Sequence, residues 1–308
     1  MTRYPTRRIT YLMLSRREWL STVGMAAASL AVGAGEKPAL RKLHIIGFVK
    51  PFQRLPYHQI GEMARDVGWS GVEVPVRKGG AIEPERVEDE LPKFVETLQK
   101  QELDVSVIST DVEDASDNLA QRVLKIASKL GIPRYRLKHY YYDLNKALPP
   151  QLDNFKTKLR DLMQLNRELN LQGSIQNHSG RNYVGAAGWD IWELIREFDP
   201  KHIAVFFDIG HAALEGGYSW PAQAKLLEPY FSVISVKDFF WLDGGKGGRT
   251  EWCPLGQGVV RREFFDQLKK SNFTGPITQQ FEYPMGTGAE MIAAMRKDLA
   301  TLKSWLAV

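Results

Sequence analysis

The chain has 308 residues, of which 44% are hydrophobic and 25% charged, proportions typical of a globular protein with a sizeable core. Its formal net charge of +5 falls to +1 when residues 1–35, with five Arg and one Glu, are set aside. A nearly neutral folded part argues against a nucleic-acid surface, and the single cysteine, Cys253, excludes an intrachain disulfide.

Residues 1–35 are typical of an export signal. The string Ser15-Arg16-Arg17-Glu18-Trp19-Leu20 places paired arginines directly before an apolar run that ends at Val32 and is followed by small residues. This run is too short for an ordinary spanning helix, which needs about 20 residues, but it suits a signal peptide. It resembles the bacterial twin-arginine signal and implies a periplasmic or tethered protein that contacts the membrane only through this signal. The alternative is an uncleaved amphipathic N-terminus.

From about residue 40 onward, strand-like and helix-like segments alternate without a linker. The predicted strands are 43–49, 71–75, 103–109, 132–141, 172–177, 202–208, 231–236 and 276–281. The predicted helices are 57–67, 87–101, 118–130, 152–170, 189–198, 221–227, 262–270 and 290–306. Eight such units predict an α/β fold, a (β/α)8 TIM barrel forming a single domain over residues 40–308. An open doubly wound sheet is disfavoured, because the first turn is not glycine-rich.

Active sites of such barrels lie at the carboxyl ends of the strands, so polar residues at those ends are the candidates. They are Glu73, Lys138, His139, Gln176, Asn177, His178, Asp208, His211, Ser235, Lys237, Asp238, Gln280 and Glu282. The clearest case is residues 205–211, an apolar run that ends in Asp208, a glycine and His211. Either both side chains face one pocket, or Asp208 caps the next helix and His211 is a core histidine.

Six segments, in this order, resemble the xylose isomerase-like barrels, which include sugar and sugar-phosphate isomerases and epimerases and endonuclease IV-type repair enzymes. They are Gly71-Val72-Glu73, Gln176-Asn177-His178, Asp208-Ile209-Gly210-His211, Ser235-Val236-Lys237-Asp238, residues 254–258 and residues 275–282. For the epimerase branch, the resemblance implies a divalent metal held by Glu, Asp, His and Glu on strands five to eight. The two glutamates would be the acid/base pair.

Those four positions are Gln176, Asp208, Ser235 and Gln280 in this chain, so only the aspartate is retained. An amide carries no charge and cannot exchange a proton near neutral pH, so the implied mechanism does not transfer unchanged. One interpretation moves the site outward, to a metal centre for Zn²⁺, Mn²⁺ or Fe²⁺. Its ligands would be His178, Asp208, His211 and Glu282.

The other interpretation is a sugar pocket without a metal. Its predicted catalytic residues are Glu73, His178, Lys237 and Glu282. Its predicted substrate-binding residues are Lys138, Gln176, Asn177, His211, Gln280 and Trp252. As an alternative to a role in catalysis, Lys237 forms a salt bridge with Asp238 at the strand end. The glycine-rich residues 243–249 are interpreted either as a flexible lid or as a cradle for an anion.

These observations predict a protein that acts on a sugar or sugar derivative and has isomerase or epimerase ancestry, with altered or lost metal-dependent chemistry. The rival is a non-catalytic carbohydrate-binding barrel in the periplasm. In both cases the partner is a small carbohydrate, and the cofactor is one divalent metal or none. DNA repair is disfavoured by the near-neutral charge and by six scattered histidines. The oligomeric state stays open.

Overall fold

The structure is a computed structural model that describes residues 44–242 and 248–308. The predicted export signal, and the proposed lid apart from its last two residues, lie outside the described residues.

Eight parallel strands close into a barrel, as predicted, and two further strands form an antiparallel hairpin. The strands are β1 (Ile45–Phe48), β2 (Gly71–Val76), β3 (Asp104–Thr110), β4 (Arg134–Arg136), β5 (Gln172–Gln176), β6 (Ile203–Asp208), β7 (Phe231–Val236), β8 (Asp238–Trp241), β9 (Thr250–Cys253) and β10 (Ile277–Gln279). The barrel runs in chain order from β1 to β7, and β10 closes it between β7 and β1. The closing register pairs Ile45 with Ile277.

Helices follow the barrel strands and cover them. They are α1 (Tyr57–Val67), α2 (Val87–Gln99), α3 (Asn118–Lys129), α4 (Leu148–Leu169), α5 (Trp189–Ile195), α6 (Ile209–Gly216), α7 (Trp220–Leu227), α8 (Arg262–Lys270) and α9 (Ala289–Leu306). The stripe Leu91, Phe94, Val95 and Leu98 is buried on α2, as its helical spacing indicates. None of the described helices is long and apolar enough to cross a membrane.

Three features differ from the sequence-based prediction. Strand β4 ends at Arg136, because the backbone N–H of Lys138 bonds to the carbonyl of Val112 in a loop. Helix α6 follows β6 without any connecting loop, so no breaker marks its start. The β8–β9 hairpin was not predicted, because residues 242–249 between its strands exceed the usual hairpin loop length.

The barrel interior is layered, and the layering positions the site. An apolar plug fills its middle, formed by Ile46, Val107, Phe206 and Val233. Side chains alternate along a strand, so the next inward positions toward the carboxyl ends lie two residues further on. Those positions include Ser109, Asp208 and Ser235, all of which are buried. A polar layer therefore lies directly above an apolar floor.

Candidate functional site

The carboxylate of Asp208 is the centre of the polar layer and is fully buried. Its Oδ2 accepts hydrogen bonds from Gln176 Nε2 at 3.1 Å and from Ser235 Oγ at 2.9 Å. Its Oδ1 accepts from the backbone N–H of His211 at 3.0 Å, which caps α6. Asp208 therefore caps a helix and also faces the polar layer, so parts of both sequence interpretations hold.

Glu73 forms a second buried acceptor centre, on β2. Ser109 Oγ donates to its Oε1, and its Oε2 accepts from Thr278 Oγ1 at 2.8 Å and Gln280 Nε2 at 3.3 Å. Three donors therefore occupy this carboxylate. The side chains at the three altered ligand positions are therefore hydrogen-bond donors to the buried carboxylates. Gln176 and Ser235 donate to Asp208, and Gln280 donates to Glu73.

The ammonium of Lys237 is a buried cation of this layer. Its side chain is 4% exposed, and its Nζ lies 3.4 Å from Asp208 Oδ2 and 3.9 Å from Glu282 Oε1. It also lies 4.8 Å from the ring centroid of Trp252, a cation–π distance. Glu282 is partly exposed and pairs with Lys50 at 3.5 Å on its other oxygen. Lys237 therefore connects the buried carboxylate to the outer one.

The alternative salt bridge between Lys237 and Asp238 is not formed. Asp238 instead accepts hydrogen bonds from four backbone N–H groups, those of Phe239, Gly256, Gly258 and Val260. The amides of Gly256 and Gly258 hold the 254–258 loop against the carboxylate, although burial still raises the pKa of Asp238. Asp238 is a structural anchor for the loop and leaves Lys237 to face Asp208.

Gly210 makes room for the lysine. A Cβ at this position would lie 2.8 Å from Lys237 Cγ and 2.8 Å from the Lys237 carbonyl oxygen. The backbone contact cannot move away without shifting β7. The glycine in the Asp-Ile-Gly-His segment therefore permits close approach of α6 to Lys237.

Three imidazoles form one wall of the site. The ring of His178 stacks on Tyr183 with centroids 4.4 Å apart, and it lies 3.8 Å from the ring of His211 and 4.7 Å from that of His139. Burial, helped by Lys237, lowers the pKa of His178 to about 4. Burial also holds the pKa values of His139 and His211 well below the usual range. All three rings are therefore neutral at pH 7.

The hydrogen bonds of the wall assign roles to its nitrogens. His178 Nδ1 lies 2.8 Å from the carbonyl oxygen of Ser179, which can only accept, so this nitrogen carries the proton. Its Nε2 then holds a lone pair. His211 Nδ1 contacts Ser179 Oγ at 2.8 Å, whereas His211 Nε2 is buried and has no hydrogen-bond partner among the described residues. A ligand could satisfy that nitrogen.

Other predicted residues have different positions. Asn177 is buried and bridges β5 to the backbone of Asp208 through bonds of 2.7 and 2.9 Å, a structural role. Lys138 is exposed and pairs with Glu113 at 3.3 Å on the rim. Trp252, on β9, meets the ring of His211 edge-on with centroids 5.4 Å apart, within the site.

Arg136 belongs to the polar layer and was not predicted from the sequence. Its Nε donates to Ser109 Oγ at 3.1 Å, and its Nη1 lies 3.0 Å from His139 Nε2. Burial lowers its pKa to about 10, against an opposing effect of Glu73, so the guanidinium stays charged at pH 7. Arg136 lies two residues before Lys138, so strand alternation gives both side chains the same facing and could have identified Arg136 as a candidate. The predicted strand runs on to residue 141, which makes Lys138 the inward residue near its end.

The predicted metal ligands His178, Asp208, His211 and Glu282 do not form a metal centre. No group of three or more His, Cys, Asp or Glu side chains in residues 44–242 and 248–308 is arranged to hold an ion. Asp208 accepts hydrogen bonds from three neutral donors and lies beside the ammonium of Lys237, and Glu282 lies beyond that ammonium. The donor set therefore does not fit a divalent cation.

Comparison with known proteins gives a family match and a shared fold. A family model described as "Xylose isomerase-like TIM barrel" matches residues 62–305. No curated protein sequence matches the chain.

Among solved structures, 3-keto-D-glucoside 4-epimerase from E. coli is 15% identical, with a TM-score of 0.66 over 85% of this chain and 100% of that one. A xylose isomerase-like TIM barrel protein from Mycobacterium smegmatis, in complex with magnesium, is 16% identical, with a TM-score of 0.63 over 86% and 98%. D-allulose 3-epimerase from Methylomonas sp., in complex with D-allulose, is 13% identical, with a TM-score of 0.66 over 86% and 97%. Likeness at these identities shows the fold alone.

Proposed function

Since the chain belongs to the xylose isomerase-like TIM barrel family, we propose that it acts on a sugar or sugar derivative at the strand ends around Asp208. The observation that carries the proposal is the buried ammonium of Lys237, 3.4 Å from Asp208. In this proposal the ammonium supplies the positive charge that a divalent cation supplies in metal-dependent relatives. Gln176, Ser235 and Gln280, which stand at the ligand positions, donate hydrogen bonds to the buried carboxylates instead of binding a metal.

Isomerisation and epimerisation of a sugar next to a carbonyl need a proton carrier and stabilisation of charge on the carbonyl oxygen. His178 Nε2 has the lone pair to take the carbon-bound proton and return it, with Glu282 as the second candidate. Lys237 can donate a hydrogen bond to the oxygen that becomes negative. Glu73, predicted as a possible base, accepts from three donors and is fully buried, so we assign it a structural role.

The proposal is tested by deuterium exchange. Ketoses and keto-glycosides are incubated with the protein in D₂O with a chelator, and exchange of carbon-bound protons is followed by NMR. We expect exchange that survives the chelator and falls at least about tenfold in Lys237→Met and His178→Gln. Lys129→Met, which changes an exposed lysine at the end of α3, is the control. Exchange that needs an added divalent metal would contradict the proposal.

A non-catalytic carbohydrate-binding barrel is the second candidate, favoured by the fact that hydrogen-bond donors occupy both buried carboxylates. It predicts saturable sugar binding by calorimetry with no proton exchange in any sugar tested. The triple variant Gln176→Glu, Ser235→His and Gln280→Glu then separates a degenerate enzyme from a binding protein. Gain of Mn²⁺ binding together with exchange activity supports the former, and gain of neither supports the latter.

We further propose that residues 1–35 direct export and that the mature protein acts in the periplasm. The support is the paired arginines before a short apolar run.

A further inference from the structure

The guanidinium of Arg134 lies at the end of the barrel opposite the candidate site. Arg134 is the first residue of β4, so it lies at the amino ends of the strands. Its Nε is buried and has no hydrogen-bond partner, and its side chain forms no ion pair with the described residues. Burial alone lowers its pKa, with no contribution from a nearby carboxylate. Arg136, two residues further on, has three partners.

Two clefts meet at Arg134. One has a volume of about 310 Å³ and is also lined by Gln172, Ser232, Asn272 and Thr274. The other has a volume of about 430 Å³ and is lined by His44, Asp104, Ser106 and again Thr274. Several of these residues begin or precede strands, so both clefts open at the amino ends of the barrel strands.

Neither acidic residue of the clefts neutralises Arg134. Both carboxylate oxygens of Glu228 contact Lys225 Nζ at 3.2 Å. Asp104 Oδ2 contacts His44 Nε2 at 3.1 Å and accepts from Ser106 Oγ at 2.7 Å. A partly buried cation without a counter-ion is unfavourable, because its desolvation is not compensated. Among the described residues, no counter-ion therefore lies against the planar, forked donor of Arg134.

We propose that these clefts form a binding site for a small oxyanion, a phosphate or carboxylate group, held by Arg134. The guanidinium offers parallel N–H groups that match two oxygens of such a ligand. The exposed side chains of Asn272 and Thr274 supply additional donors at the cleft mouth. The apolar plug separates this site from Asp208, so the ligand acts on the stability of the barrel and not on its chemistry.

The test measures thermal unfolding in sodium phosphate and in sodium chloride at matched ionic strength. Phosphate stabilises proteins generally by exclusion from their surface, and this contribution is common to all variants. Specific binding adds to this general stabilisation. At a phosphate concentration of about five times Kd, we expect the wild-type Tm to rise by about 2–4 °C more than the Tm of Arg134→Met. Arg160→Met, which removes an exposed arginine on α4, is the matched control and should keep the full rise.

Arg134→Lys should lose most of the specific rise, because an ammonium lacks the fork. If Arg134→Met does not fold, Arg134→Gln replaces it, and the Arg134 Nε–H resonance of the wild type is followed during phosphate and acetate titrations. A saturable shift with either anion supports the site and identifies the preferred group. Equal Tm gains in wild type and variant, or a resonance that does not move, would overturn the proposal.

Discussion

Replacement of Lys237 by Met tests whether the ammonium is a buried counter-ion. Methionine keeps a chain of similar length against Trp252 but removes the charge 3.4 Å from Asp208 and 3.9 Å from Glu282. Breaking a buried ion pair by removing one partner costs about 3–5 kcal/mol. Asp208 keeps three donors at 2.9–3.1 Å, so we expect a loss nearer about 2–3 kcal/mol in the free energy of unfolding.

The assay is urea denaturation of the wild type, Lys237→Met, Asp208→Asn and the double variant. We expect a coupling energy of about 1–3 kcal/mol between the two sites, because Asp208→Asn removes the charge that the missing ammonium would leave unpaired. Lys50→Met is the control, because its pair with Glu282 is solvent-exposed and should contribute less than about 1 kcal/mol. A loss in Lys237→Met no larger than in Lys50→Met, with no coupling to Asp208, would refute the reasoning.

Three further outcomes are expected. Gly210→Ala should lower the free energy of unfolding by about 1–3 kcal/mol, because the added Cβ would meet the Lys237 carbonyl oxygen. Gly216→Ala is the control: its Cβ would have its nearest neighbour 3.4 Å away, so its free energy of unfolding should stay within about 0.5 kcal/mol of wild type in the same urea denaturation. The pKa of His178 is about 4 when folded and 6.5 when unfolded, so the unfolded chain binds more protons between these values. The contribution of His178 to the free energy of unfolding should therefore fall by about 2–3 kcal/mol as the pH drops from 6.5 to 4, in addition to the losses from His139 and His211. His178→Gln should show a correspondingly shallower pH dependence, and an unchanged profile would contradict this assignment. Replacing both Arg16 and Arg17 by Lys should retain the protein in the cytoplasm of a host with a twin-arginine pathway, and periplasmic recovery equal to wild type would argue against that signal.

Much of the barrel could be predicted from local patterns. The buried face of α2 follows from the helical spacing of its apolar residues, and the barrel strands appear as short apolar runs that end in polar residues. Both patterns lie within a single segment of sequence. Two elements were missed for different reasons. Helix α6 begins at the strand end because the Asp208 side chain caps it, a local contact that the sequence left open as an alternative. Strand β8 pairs with β9 across a long connection, and no local pattern distinguishes these two strands from loops.

The positions of the candidate residues in the fold could be predicted more fully than their contacts. The carboxyl ends of the strands were correctly marked as the place where Asp208, His211 and Lys237 lie. The contacts of the polar layer depend on barrel closure. Closure places β1 between β2 and β10, so that Thr278 and Gln280 reach Glu73 across more than 200 positions of sequence. Arg136 is buried in the polar layer at the end of β4, whereas Lys138 is exposed in the loop that follows, and the sequence does not show where the strand ends.

By itself, the sequence determined an alternating strand and helix order, and it placed Asp208 at a strand end with amides and a hydroxyl where charged ligands were expected. Those conclusions rest on side-chain periodicity and residue chemistry, which are local. Only the tertiary structure decided what the amides and the hydroxyl contact and where the compensating charge lies. The reason is distance: Lys237 Nζ comes within 3.4 Å of Asp208 because β6 and β7 are neighbours and Gly210 leaves room.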